Sequence, residues 1–129
     1  MKAALTLFLS CLLTGFAAAK DEESKDGPVK IEQAEKQISS GIQLLDVRSK
    51  DEWDEGHLKG AKLLPISEDD FAGKAKAILD PKKPVLVYCR SGKRSEKAAK
   101  DLRKAGFAPV YEMEGGILAW EKAGKPVEK

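Results

Sequence analysis

The sequence predicts an α/β domain with a mainly parallel central sheet flanked by helices on both faces. From residue 29 onward, segments with helical spacing of apolar residues alternate with short apolar runs, and such alternation is typical of strand-helix-strand units. The run 85–88, Val-Leu-Val-Tyr, is apolar or aromatic throughout, as expected for a strand that is covered on both faces. This run is the predicted central strand.

The elements follow one another with short connections. They are predicted as a helix over 31–38, a strand over 42–47, a short helix over 49–55, a strand over 61–66, a helix over 67–79, a strand over 85–88, a helix over 95–105, a strand over 110–113 and a final helix over 117–123. Gly41 ends the first helix, whose apolar residues recur at helical spacing. Ser49 is the expected N-cap of the second helix and Gly56 its stop.

The remaining elements have equally clear boundary signals. Ser67 with the acidic residues after it is expected to cap and open the third helix, and prolines punctuate its end. Gly106 breaks the fourth helix, and Gly115-Gly116 leads into the last one. In parallel sheets of this kind, ligands bind at the carboxyl ends of the strands, and Cys89 directly follows strand 85–88.

The amino-terminal residues are predicted to be a processing signal. Lys2 supplies a positive start, residues 3–16 are almost unbroken in apolar character, and three alanines over 17–19 fit a signal peptidase site. We therefore expect a signal peptide over 1–19, a flexible leader over 20–28 and a single domain over 29–125. The expected location is the periplasm or the outside of the cell.

Charge and cysteine content limit the functions of the mature chain. Without residues 1–19, in which Lys2 is the charged residue, 22 basic and 21 acidic residues remain, so no general affinity for nucleic acid is expected. About 110 residues form one small domain, expected to be a monomer that does not associate with the membrane after cleavage. Its one cysteine, Cys89, has no internal disulfide partner.

The segment that follows the central strand predicts a site for an anion around a reactive thiol. A tight loop between a strand and a helix directs backbone N–H groups and the helix N-terminus inward. Cationic side chains in the same segment favour the thiolate and hold an anionic group against the sulfur. The predicted nucleophile is Cys89, and the predicted substrate-binding residues are Arg90, Ser91, Gly92, Lys93, Arg94 and Ser95.

Residues from other strand ends are expected to support this site. Asp46 and Arg48 follow the strand over 42–47; Asp46 is expected to brace a loop arginine, and Arg48 to pair with Glu52 four residues later. His57 lies in a turn, where an imidazole commonly ties down backbone groups, so a structural role is favoured over that of a base. No metal site is expected, because one cysteine and one distant histidine do not supply a ligand set.

Three motifs and the strand order together resemble one known family. The first motif is Asp46-Val47-Arg48 with Glu52-Trp53, Gly56-His57-Leu58-Lys59-Gly60-Ala61 and Pro65; the second is the loop from Cys89 to Arg94; the third is Gly115-Gly116-Ile117-Leu118-Ala119-Trp120. Their order and spacing resemble the rhodanese homology domain over nearly all of 29–123. The type that the chain resembles is the exported, single-domain thiosulfate sulfurtransferase.

This resemblance implies a mechanism without a cofactor. Cys89 would take the outer sulfur of a small anionic donor such as thiosulfate and pass it to a thiol or cyanide-like acceptor. Arg90, Lys93 and Arg94 would hold the oxygens of the donor's sulfonate, and the loop N–H groups would stabilise the persulfide. A thiolate that its surroundings already favour needs no histidine base.

Two alternatives stay open on the sequence. Phosphatases and arsenate reductases of the same fold resemble a cysteine followed by five residues and an arginine, whereas Arg94 follows Cys89 after four. The smaller loop favours a single sulfur over a phosphoryl group. A persulfide carrier that delivers sulfur to a partner protein without its own turnover is the second alternative.

Overall fold

The structure is a computed structural model that describes residues 26–129. The predicted signal peptide over 1–19 and most of the predicted leader lie outside the described residues. Within them, five strands form one sheet: β1 (Gly27–Val29), β2 (Gln43–Asp46), β3 (Lys62–Leu63), β4 (Val85–Tyr88) and β5 (Val110–Met113). Every pairing is parallel, and the strand order is β1-β5-β4-β2-β3. The predicted class is confirmed, with β4 as the central strand.

Four of the five described helices connect successive strands, and the fifth follows β5. The five helices are α1 (Ile31–Ser39), α2 (Lys50–Glu55), α3 (Phe71–Ile78), α4 (Lys93–Lys104) and α5 (Gly116–Lys122). None of these helices has the length and apolar character needed to cross a membrane.

The core lies on both faces of the sheet, because successive side chains of a strand point to opposite sides. One face packs against α3 and α4, and its buried residues include Leu45, Val85, Val87, Phe71, Ala75, Ala98 and Leu102. The other face packs against α1 and α5, and its buried residues include Leu44, Leu86, Met113, Ala34, Ile117 and Trp120. All four residues of β4 are buried, so the strand that precedes Cys89 is held from both sides.

The strand predicted over 61–66 is shorter in the structure, Lys62–Leu63, and three other boundaries differ from the predictions by two residues or more. Gly27 and Pro28, expected in the leader, form β1 with Val29 and pair with β5; three residues are too few to show a strand period in the sequence. Helix α3 begins after Asp70, not after Ser67, because Ser67 lies in a turn closed by the Glu68 N–H on the Pro65 carbonyl.

The third difference affects the loop after β4. Helix α4 begins at Lys93 with Gly92 as its N-cap, two residues before the predicted start. Ser95 consequently lies in the first turn of α4, where a backbone N–H has no partner within the helix. That N–H is free to point into the loop.

Candidate active site

Cys89 lies at the carboxyl edge of the sheet, as the sequence predicts. It follows the last residue of β4, Tyr88, which is paired in register with Asp46, the last residue of β2. The ends of the two neighbouring strands therefore place Asp46 and Arg48 beside the cysteine loop. Cys89 itself is 1% exposed.

Backbone donors surround the sulfur of Cys89. The Gly92 N–H donates to Sγ over 3.1 Å and the Ser95 N–H over 3.4 Å. The thiol in turn donates to the Ser95 hydroxyl oxygen over 3.6 Å, and that hydroxyl donates to the Gly92 carbonyl over 3.1 Å. Gly92 has a φ of 112°, a left-handed conformation that glycine adopts without strain. Two N–H groups aimed at one sulfur stabilise negative charge on it.

The loop carries two cations besides Arg94. Arg90 and Lys93 are exposed, as is Ser91. No ion pair between described residues involves Arg90 or Lys93. Their positive charges are therefore available to an anion that approaches the recessed sulfur.

Arg94 is held in an ion pair with Glu52. Its Nη1 and Nη2 donate to the two carboxylate oxygens of Glu52, each over 2.8 Å, so its guanidinium ties the loop to α2. The expected contact of Arg94 with a substrate stays a prediction. The hydrogen bond from Arg94 lowers the pKa of Glu52 to about 2, and the same bond raises the pKa of Arg94.

Glu52 was named from the sequence as a partner of Arg48 and as part of the first motif, but not as a partner of Arg94. Its Oε1 also accepts from the backbone N–H of Ser49, while the Ser49 hydroxyl oxygen accepts from the Glu52 N–H. This is the reciprocal capping box of α2. The spacing Ser-x-x-Glu was the signal in the sequence for the cap, but it carried no information about the contact with Arg94.

Asp46 and Arg48 form a buried pair with each other, which corrects both expected pairings. Arg48 Nη2 donates to Asp46 Oδ2 over 2.7 Å and to the Gly56 carbonyl over 2.7 Å, and Arg48 Nε donates to both oxygens of Asp46. Burial disfavours the charged form of Arg48 and acts to lower its pKa. The hydrogen bond to Asp46 and the negative charge of Asp46 outweigh this effect, so the pKa of Arg48 is raised. A buried charge requires such compensation.

Tyr88 connects that pair to the strand that leads to Cys89. Its hydroxyl oxygen accepts the Leu58 N–H over 3.1 Å, and the Arg48 guanidinium carbon lies 5.6 Å from its ring centroid. Burial of the ring and hydroxyl, together with Asp46, raises the pKa of Tyr88. The base of the site is therefore a fixed polar network beneath the loop.

His57 contacts the turn in which it lies, as the predicted structural role requires. Its ring stacks on Trp53 with centroids 3.6 Å apart, and Nδ1 lies 3.1 Å from the Trp53 carbonyl oxygen. Its backbone exchanges two hydrogen bonds with Glu128. Within residues 26–129, no group of three or more His, Cys, Asp or Glu residues is placed to hold a metal ion.

A cavity of about 400 Å³ lies at the opposite edge of the sheet, beside the end of α1 and the start of β2. Its lining includes Gln33, Gln37, Ile42, Pro84 and Tyr111. Neither Cys89 nor any residue of its loop belongs to this lining.

A sequence match that spans nearly all of the described residues shows which family the chain belongs to. The rhodanese-like domain family matches residues 30–123, which includes every site residue described above. The chain belongs to the rhodanese-like domain family. A solved structure of the rhodanese-like domain from the Anabaena protein Alr3790 aligns with a TM-score of 0.70 and 30% identity, covering 78% of this chain and 77% of that one.

Curated relatives of this rhodanese domain include sulfurtransferases. Thiosulfate sulfurtransferase 18 of Arabidopsis thaliana is 36% identical over 110 residues, which cover 77% of this chain and 81% of the relative. The probable adenylyltransferase/sulfurtransferase MoeZ of Mycobacterium tuberculosis is 39% identical over 85 residues, and the match spans 21% of its length. The same domain thus occurs both as most of a protein and as a small part of one.

Proposed function

We propose that this rhodanese domain is a thiosulfate sulfurtransferase that works through a persulfide on Cys89. The observation that carries the proposal is the pair of N–H groups from Gly92 and Ser95 on the recessed sulfur. The exposed Arg90 and Lys93 above it supply the attraction for an anionic donor. The curated sulfurtransferase relative supports the same reaction class.

The proposed reaction has two steps: Cys89 first takes a sulfur atom from the donor and then passes it to the acceptor. The Cys89 thiolate attacks the outer sulfur of thiosulfate, a sulfur–sulfur bond forms to Cys89, the bond to the sulfonate sulfur breaks, and sulfite leaves with its electron pair. In the second step a nucleophile such as cyanide or a thiolate attacks the outer sulfur of the persulfide. The bond to Cys89 breaks, thiocyanate or a new persulfide forms, and the Cys89 thiolate returns.

Five residues of the segment after β4 have separate parts in this proposal. Arg90 and Lys93 hold the sulfonate oxygens of the donor, and the N–H groups of Gly92 and Ser95 stabilise charge on sulfur. Arg94 stays with Glu52 and fixes the end of the loop.

A phosphatase or arsenate reductase is the rival activity of the same fold. Arg94 would then have to face a phosphoryl group, but its two terminal nitrogens are bound to Glu52. The loop also holds one residue fewer before the arginine than those enzymes have. Both features favour sulfur over a tetrahedral oxyanion.

The proposal also includes export. The pattern over residues 1–19 is that of a secretory signal, and a single-domain protein in the periplasm or outside the cell is the expected product. Amino-terminal sequencing of protein recovered from the periplasm of the producing cells tests this; a start at Lys20 supports it, and an intact Met1 in the cytoplasm contradicts it.

Mass spectrometry decides the reaction class. Purified residues 20–129 are treated with thiosulfate, and the protein is expected to gain the mass of one sulfur atom on Cys89, whereas Cys89→Ser gains none. Cyanide is then added. Repeated release of thiocyanate indicates an enzyme, whereas a protein that keeps its persulfide without turnover is a carrier. Hydrolysis of p-nitrophenyl phosphate without sulfur gain would overturn the proposal.

A further inference from the structure

Helix α5 holds the back of the cysteine loop through backbone hydrogen bonds. The Ile117 N–H donates to the Cys89 carbonyl over 2.9 Å, and the Leu118 N–H donates to the Arg90 carbonyl over 3.2 Å. Both donors lie in the first turn of α5, where N–H groups have no partner within the helix. The loop carbonyls satisfy them.

These two bonds fix the orientation of two peptide groups. In a trans peptide the C=O and the following N–H point in opposite directions. Because the carbonyls of Cys89 and Arg90 face α5, the N–H groups of Arg90 and Ser91 point away from α5. The orientation of two of the loop's amides is therefore set by α5, although none of the described hydrogen bonds to the sulfur comes from a side chain of this helix.

Gly116 is the residue that permits this close approach. A Cβ at position 116 would lie 2.3 Å from the Arg90 carbonyl oxygen and 2.5 Å from the Cys89 carbonyl oxygen. Those contacts are with backbone, which has to shift to relieve them. At Gly115 a Cβ would meet the Ala119 Cβ at 2.6 Å, within α5 itself, with no loop atom among its close contacts.

We propose that Gly116 is a positioning residue for sulfur transfer. By admitting α5 against the loop, it turns the Arg90 and Ser91 N–H groups toward the outer sulfur of the Cys89 persulfide, where they join those of Gly92 and Ser95. This inference rests on the proposed persulfide chemistry. Four converging N–H groups stabilise the charge on the outer sulfur as an oxyanion hole stabilises an oxygen.

The two adjacent glycines provide a matched test. Gly115 and Gly116 both have left-handed φ values, 75° and 61°, so alanine at either position carries a similar conformational strain. Gly116→Ala is expected to lower kcat for sulfur transfer at least about tenfold more than Gly115→Ala, with little change in KM. The half-life of the Cys89 persulfide, followed by mass spectrometry, is expected to shorten in Gly116→Ala alone.

A second variant keeps the test decisive if Gly116→Ala does not fold. Leu118→Pro deletes the N–H on the Arg90 carbonyl and breaks no bond within α5, because N–H groups of the first turn have no partner in the helix. Leu118→Ala loses the same exposed side chain and keeps the N–H. The proline variant is expected to lose at least about tenfold more kcat than the alanine variant.

The outcomes separate the two proposals. Equal losses in Gly115→Ala and Gly116→Ala, or in Leu118→Pro and Leu118→Ala, while the wild-type protein forms its persulfide, would overturn the positioning role alone. A wild-type protein that takes up no sulfur from thiosulfate overturns the proposed function and the positioning role with it.

Discussion

Arg94 binds both carboxylate oxygens of Glu52, a residue 42 positions earlier in the chain. Glu52 also caps α2 through Ser49, so one carboxylate links the start of α2 to the end of the cysteine loop. The pair is partly exposed, with the side chain of Arg94 at 39% and that of Glu52 at 25%. Its main effect is therefore on loop geometry, because partly exposed ion pairs add little stability.

Glu52→Gln is expected to reduce kcat/KM for thiosulfate about tenfold, since a loop that shifts slightly loses alignment of its N–H donors. The free energy of unfolding falls by only about 1 kcal/mol or less. Asp54→Asn is the control, because Asp54 is on the same helix but pairs with the exposed Lys50. Equal kcat/KM in the two variants would show that the bond to Arg94 has no part in the site.

The same variant has a defined pH signature. The pKa of Glu52 lies at about 2 in the folded protein, below its ordinary value of 4.5, chiefly because Arg94 donates to it. A depressed carboxyl pKa contributes stability that is fully present above pH 4.5 and is lost as the pH falls through about 2. The difference in unfolding free energy between wild type and Glu52→Gln is thus expected to be constant above that window and to shrink within it. Urea unfolding at stepped pH measures this, and a difference that grows with acid would contradict it.

Asp46→Asn is expected to destabilise the domain by about 3–5 kcal/mol, because it leaves the Arg48 guanidinium buried without its counter-charge. The double variant Asp46→Leu/Arg48→Met removes both charges and is expected to regain much of that loss. Denaturant unfolding of the three proteins measures the effect. A loss below about 1 kcal/mol in the single variant would mean that water reaches Arg48 readily.

His57→Asn is expected to retain sulfur transfer. Removal of a general base costs roughly a hundredfold or more in rate, whereas His57 contacts the Trp53 ring and carbonyl. Initial rates with thiosulfate and cyanide provide the measurement, with thermal unfolding to register the lost stacking. A loss of that size in a folded variant would make His57 part of the chemistry.

Arg90→Gln and Lys93→Gln are each expected to raise KM for thiosulfate several-fold with a smaller effect on kcat, because both residues attract the donor. Lys97→Gln serves as control, since Lys97 pairs with Asp101 away from the loop. Added salt is expected to raise KM in the wild type more than in the double variant. An unchanged KM in both loop variants would place the donor elsewhere.

The fold and the position of Cys89 at the end of a strand were accessible from the sequence for local reasons. A continuous apolar run predicts β4, and the position of Cys89 at the end of β4 follows directly from that run. The contact of Glu52 with Arg94 depends on how α2 and α4 meet in space, which no spacing encodes. Asp46 and Arg48 are two residues apart, a separation that brings side chains together in a turn but not in a regular helix. The role of Gly116 required knowing which backbone lies against it.

The depth of Cys89 has a consequence for handling the protein in air. A disulfide between two copies requires their Cβ atoms to approach within about 4 Å. Because Cys89 is only 1% exposed, its sulfur does not reach that of a second copy unless both loops open. Covalent dimers are accordingly disfavoured even in concentrated stocks without reductant. Hydrogen peroxide is far smaller than a second copy of the chain and faces no comparable steric barrier, so oxidative inactivation is expected to produce oxidised monomers.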